Sequence, residues 1–137
     1  MMRRTYLAAA TGLGAGSLAG CTASLAGGGV EMPIEVVLRE WAVVPDASTL
    51  PAGEIEFQAR NVGGDHHELV VRRRTEPDGR LETIAEVGDV EPGTFDWLTV
   101  TLEAGEYELA CLMREVEENG QVEDHYRRGM HTTVTVE

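Results

Sequence analysis

From Ile34 to Glu137 the chain is a succession of short apolar or alternating runs, and this leaves little room for any architecture but a sheet. The runs are IEVVLREWAVV, EIEFQAR, HELVVRR, FDWLTVTL, YELACLM and HTTVTVE. Between them stand turn residues at Pro51-Ala52-Gly53, Gly63-Gly64, Pro77-Asp78-Gly79, Pro92-Gly93 and Ala104-Gly105. No helical period competes over most of this length. Short strands at such spacing argue for an antiparallel β-sandwich. In the second run Ile55, Phe57 and Ala59 fall on one face and Glu54, Glu56, Gln58 and Arg60 on the other, as a half-buried strand requires. The segment EPDGRLETIAEV, residues 76–87, alternates poorly and reads either as a further strand or as an irregular excursion.

The first 33 residues are of another kind. Arg3 and Arg4 precede a small, apolar stretch that ends Leu18-Ala19-Gly20-Cys21. A charged start and a run too short and glycine-rich to span a bilayer read as an export signal over residues 1–20. The paired arginines point to the twin-arginine route. The last four residues resemble a lipobox, in which cleavage exposes the cysteine for lipidation. Cys21 is then the lipid attachment point, residues 21–33 a flexible tether, and residues 34–137 one domain of about 104 residues facing outward from the membrane. Without the signal, nine arginines stand against 24 acidic residues, a net charge of about −15, and the chain has no lysine. So acidic a surface disfavours nucleic acid and anionic lipid as partners and resembles adaptation to a saline medium.

The chemistry gathers in a few residues. His67 shares parity with Leu69 and Val71 and points inward, whereas His66 shares parity with Glu68 and points to solvent. Cys111 ends an inward row with Tyr107 and Leu109. With Cys21 lipidated, Cys111 has no disulfide partner in an oxidising exterior, and a bound metal would both use and protect its thiolate. His125 and Met130, four residues apart across Gly129, complete a thiolate, two imidazoles and a thioether. That is the His₂Cys trigonal set with a weak axial methionine that suits one copper ion cycling between Cu(I) and Cu(II). A tight turn at Gly129 would bring His125 and Met130 to the same ion. His66 in place of His67, His131 in place of His125 and Met113 as a competing thioether stand as alternatives.

Three segments, AGEIEFQARNVGGDHHELVV, AGEYELAC and HYRRGMHTTVTV, resemble in this order the pattern of the cupredoxins, the small blue copper proteins. The resemblance implies an all-β, antiparallel Greek-key sandwich and a copper site of His67, Cys111, His125 and Met130. It also implies that Asn61 ties the two ligand loops together by hydrogen bonds. The chain departs from the pattern by the thirteen residues LMREVEENGQVED between Cys111 and His125, where the family has only a few. Asn119-Gly120 would fold REVEENGQVED back on itself as a solvent-facing hairpin beside the copper, outside its coordination and bordering the exposed edge of a ligand. Trp41 and Trp97 read as core or rim residues, and Arg72-Arg73-Arg74 as a solvated edge.

Function follows the donor set. A one-electron carrier working with protein redox partners at the outer face of the membrane is the first expectation, as a monomer held by lipid. A copper-delivery protein and a metal-free interaction module of the same fold are the alternatives. No Ser-His-Asp arrangement stands out, and four protein ligands leave no open position for a substrate, so the chain does not read as an enzyme.

Overall fold

The computed structural model describes residues 32–137. The export signal, Cys21 and all but the last residues of the tether lie outside them. Among the described residues no helix is long and apolar enough to cross a membrane.

Two sheets face each other across one core. The first contains β1 (Ile34–Arg39), β2 (Ala42–Pro45), β4 (Gly53–Asn61) and β7 (Phe95–Leu102), in the order β2-β1-β4-β7. The second contains β3 (Thr49–Leu50), β5 (His67–Arg74), β6 (Leu81–Val90), β8 (Gly105–Ala110) and β11 (His131–Val136), in the order β3-β11-β8-β5-β6. Val36, Leu38, Ile55, Phe57 and Ala59 from the first sheet meet Leu69, Val71, Leu109, Val134 and Val136 from the second in a single apolar cluster. The alternation expected of β4 is present, with Ile55, Phe57, Ala59 and Asn61 all buried.

Two features differ from the expectation, and a third resolves a segment that the sequence left open. The sandwich is mixed: β1 runs parallel to β4, and β3 parallel to β11, while the remaining pairs are antiparallel. Between β1 and β4 the chain crosses to the second sheet and back, and such a crossover is what lets neighbours run parallel. The run IEVVLREWAVV is not one strand but the β1–β2 hairpin, turned at Glu40-Trp41. Residues 81–90 form a full strand, β6, whose pairing with β5 shifts register twice. Bulges of this kind re-aim side chains and explain why the segment alternates poorly.

The insertion is a small hairpin. β9 (Arg114–Val116) pairs antiparallel with β10 (Val122–Asp124), and the Glu117 N–H donates to the Gln121 carbonyl at 2.7 Å. Gly120 lies at φ 86°, where glycine carries no steric cost. The hairpin leads directly into α1 (His125–Arg128), a single turn whose N-cap, Asp124, accepts from the Arg127 N–H at 3.1 Å. The segment from His125 to Met130 is therefore a helical turn closed by Gly129 rather than a tight glycine turn. Gly129 lies at φ 129°, and a Cβ there would come within 3.0 Å of the Trp41 carbonyl.

The fold yields two expectations. Phe57 is fully buried between the sheets, so Phe57→Ala should lower stability by about 3–5 kcal/mol, measured by denaturant unfolding. Replacing Glu117–Gln121 by a two-residue Asn-Gly turn should leave the domain folded and Cys111 unreactive toward a thiol reagent, because the hairpin tip touches neither core nor thiol. Rapid modification of Cys111 in the folded variant would show that the tip holds the thiol's surroundings in place.

Candidate metal centre

One pole of the sandwich collects the ends of β5 and β8, the β1–β2 turn and α1. His67 opens β5 and faces inward by strand parity; Cys111 follows the last residue of β8 on the inward row of Tyr107 and Leu109; His125 is the first residue of α1. All three are fully buried, as is Met130. Three backbone hydrogen bonds fasten the segments. His125 N–H donates to the Met113 carbonyl at 3.0 Å, Met130 N–H to the His125 carbonyl at 3.1 Å, and Cys111 N–H to the Met130 carbonyl at 3.0 Å. The first closes the base of the hairpin, so the thirteen-residue insertion leaves Cys111 and His125 as neighbours.

The donor atoms form a triangle. His67 Nδ1 lies 3.2 Å from His125 Nδ1 and 4.0 Å from Cys111 Sγ, and Cys111 Sγ lies 3.5 Å from His125 Nδ1. A point equidistant from the three atoms is about 2.1 Å from each, close to the roughly 2.0–2.3 Å that imidazole nitrogen and thiolate sulfur keep from a first-row metal. No rearrangement of these side chains is needed to admit an ion. The set is soft and nitrogen-rich, with a buried thioether on the adjoining segment, and it fits a single copper ion better than a hard cation.

Electrostatics point the same way. Burial pushes the Cys111 thiol above its ordinary range, although the Met113 and Glu68 N–H groups pull against it. Burial likewise holds the His67 ring below its usual value despite the Glu40 carboxylate beside it. Burial would raise Glu40 too, but the Gly64 and Asp65 N–H groups and the His67 ring outweigh it and bring Glu40 down to about 2. The metal-free site therefore keeps His67 neutral and the Cys111 thiol protonated, and a cation that binds must displace the thiol proton.

The structure sorts the alternatives. His66 turns outward, its side chain 45% exposed and 2.6 Å from Asp89. His131 is exposed and stacks on Tyr126 with ring centroids 4.3 Å apart, away from the triangle. Met113 contributes its carbonyl to the clamp on His125. Asn61 is fully buried but does not reach the Cys111 segment: it donates to the Asp65 carbonyl in the first ligand's loop and to the Val90 carbonyl at the end of β6, each at 2.8 Å, and accepts from Gly63 N–H. The link between the loops is made by Glu68, whose N–H donates to Cys111 Sγ at 3.4 Å and whose carboxylate accepts from Leu112 N–H at 3.0 Å.

Three residues at the pole went without a role in the sequence. Glu68 is one. Trp41 sets its ring edge-on to His125 and His67, with centroids 5.0 and 6.3 Å away, and Arg128 lies over its outer face. Glu40 meets His67 Nε2 at 2.7 Å. The last two carry no local mark in the sequence: buried positions switch from even (Val36, Leu38) to odd (Val43) across Glu40-Trp41, but that switch shows only in the fold. The expected exposed ligand edge is not found. His125 is fully buried, its Nε2 has no hydrogen-bond partner, and Asp65, Glu115 and Glu123 bring carboxylate oxygens within 4.8 Å of one of its ring nitrogens.

No protein-family model matches the chain, and no curated protein matches it. Solved structures do. Dithionite-reduced auracyanin from the photosynthetic bacterium Roseiflexus castenholzii is 23% identical, with a TM-score of 0.56 over 80% of this chain and 99% of that one. Auracyanin B is 18% identical, with a TM-score of 0.54 over 80% and 93%. Reduced rusticyanin is 16% identical, with a TM-score of 0.50 over 80% and 82%. At these identities the likeness is one of fold, and residues 32–137 have the cupredoxin fold.

Proposed function

We propose that the chain is a blue copper electron carrier. His67 Nδ1, Cys111 Sγ and His125 Nδ1 would hold one copper ion, with Met130 as a further, weak donor. The carrying observation is the donor triangle, whose centre already lies at metal-ligand distance from all three atoms. Bound there, copper supplies a one-electron couple. The protein's part is to keep both oxidation states in one geometry: the donors sit in a packed core, fastened by backbone hydrogen bonds that do not depend on the ion. Complete burial of the ligands favours a carrier over a delivery protein, which must release its ion. Four protein donors leave no position for a substrate.

The same reading extends to the surroundings. The carrier would be exported and held at the outer face of the membrane by lipid on Cys21, in keeping with the lipobox-like ending of its first 21 residues. Its redox partners would be proteins with basic docking faces, met by the hairpin's carboxylates, which set encounter rate more than affinity. Arg72 is drawn in by Glu108 at 2.7 Å, and Arg74 donates to the Gly79 carbonyl, so the arginine triplet is largely engaged with its own sheet.

Reconstitution with Cu(II) should give one copper per chain and an intense visible thiolate-to-copper band. Cys111→Ser should abolish it, His67→Ala disturb it and His66→Ala leave it nearly intact; a colourless, metal-free product would overturn the proposal. Copper affinity should rise with pH while the thiol remains protonated in the free protein, by about tenfold per unit for each proton released. The raised position of Cys111 extends that dependence upward, and competition titrations against a chelator would measure it. For anchoring, mass spectrometry of the membrane fraction should find chains beginning at a lipid-modified Cys21, at least doubly acylated, and Cys21→Ser should release or misprocess them.

A further inference from the structure

We infer that Glu40 is the positioning residue of the centre: its carboxylate fixes His67 as the Nε2–H tautomer, so that the Nδ1 lone pair stays on the donor triangle, and its charge favours the more oxidised state of an ion held there. The first half stands on the geometry of the protein by itself. The second rests on the copper reading.

Glu40 reaches the site from the β1–β2 turn, far in sequence from every donor. Its Oε1 accepts from Gly64 N–H at 2.9 Å, and its Oε2 accepts from Asp65 N–H at 2.9 Å and from His67 Nε2 at 2.7 Å. The loop is shaped to receive it: a Cβ on Gly63 would run into the carboxylate, within 2.8 Å of its carbon. With two backbone donors on it the group is ionised, and an ionised carboxylate only accepts. His67 Nε2 must therefore carry the hydrogen, and in a neutral ring Nδ1 is left with its lone pair. That lone pair faces His125 Nδ1 and Cys111 Sγ, the other two corners of the triangle. The opposite tautomer would set a lone pair against the carboxylate in a fully buried ring and leave Nδ1 unable to ligate.

The two imidazoles differ in this respect. His125 Nε2 has no partner, whereas His67 Nε2 has a charged one. A carboxylate behind a ligating histidine orients the ring and raises its basicity as a ligand, and losing such a partner typically weakens metal affinity about 10- to 100-fold. The added negative charge stabilises the higher oxidation state more than the lower. Removing it should therefore weaken Cu(II) binding more than Cu(I) binding and raise the reduction potential.

The test has two independent readouts. In the metal-free full-length protein at neutral pH, ¹⁵N NMR of the His67 ring should show the Nε2–H form, and Glu40→Ala should relax that preference. In the copper-loaded protein, Glu40→Ala should weaken Cu(II) binding by about 10- to 100-fold and raise the potential. Glu40→Gln keeps the side-chain shape and either amide group can face the ring, so it should act in the same direction to a smaller extent; it serves if Glu40→Ala does not fold. A wild-type ring in the Nδ1–H form would overturn the inference. So would variants that unfold at lower temperature but keep the wild-type tautomer and potential, since Glu40 would then be only a staple between the β1–β2 turn and the 62–66 loop. Failure of the protein to take up copper would sink the carrier reading, and the tautomer measurement would still decide the role of Glu40.

Discussion

The centre depends on one backbone hydrogen bond, from His125 N–H to the Met113 carbonyl. It joins the residues at either end of the β9–β10 hairpin, so the chain between them can be long without moving His125. Lengthening a loop costs only about 0.6 kcal/mol per doubling, and pairing within the hairpin offsets part of that. The loop that would seem to separate thiol from imidazole behaves as an appendage, with the clamp setting their distance. Above the clamp, two further backbone bonds, Met130 N–H to the His125 carbonyl and Cys111 N–H to the Met130 carbonyl, join the three residues along the same seam.

Burial of polar groups gives the pole its chemical tension. Asn61, His67 and His125 are the buried polar residues among the described residues. Asn61 is fully engaged, with three bonds of 2.8 Å. His67 has Glu40 on one nitrogen and the donor triangle on the other. His125 has neighbours on one nitrogen only, its Nδ1 lying 3.2 Å from His67 Nδ1 and 3.5 Å from Cys111 Sγ. Its Nε2 is buried without a hydrogen-bond partner, a costly arrangement. A cation would engage the Nδ1 atoms of both rings, and Asp65, Glu115 and Glu123, whose carboxylate oxygens lie within 4.8 Å of one His125 ring nitrogen, would add negative charge beside it.

The fold was legible wherever alternation was clean. β4, β7 and β11 announce themselves through period-two burial, and the same parity aims His67 inward and His66 outward. Strand parity also put Cys111 at the end of an inward row. What stayed hidden was non-local or hidden by irregularity. β6 carries two register shifts, which scramble its pattern. The Glu40-Trp41 turn contains none of the glycine, proline, asparagine or aspartate that mark turns, so one long run concealed two strands. The loop-to-loop tie was expected from Asn61 by resemblance, yet it falls to Glu68, whose reach to Leu112 is set by how β5 and β8 pair and not by any local motif.

Charge at this pole acts at two ranges, and salt separates them. The exposed acids of the hairpin tip, Glu117 and Glu118, act through solvent, where the screening length falls to about 3 Å at 1 M salt. Glu40 acts through direct contact, 2.7 Å from His67 Nε2 and held ionised by two backbone donors, and screening ions do not fit between. At high salt the far field that would steer a partner fades, while the contact field at His67 Nε2 persists. In a carrier of the kind proposed, the labour would be divided: the hairpin's charges would bear on how fast a partner is met and depend on the medium, and Glu40 would bear on which oxidation state the site prefers and would not.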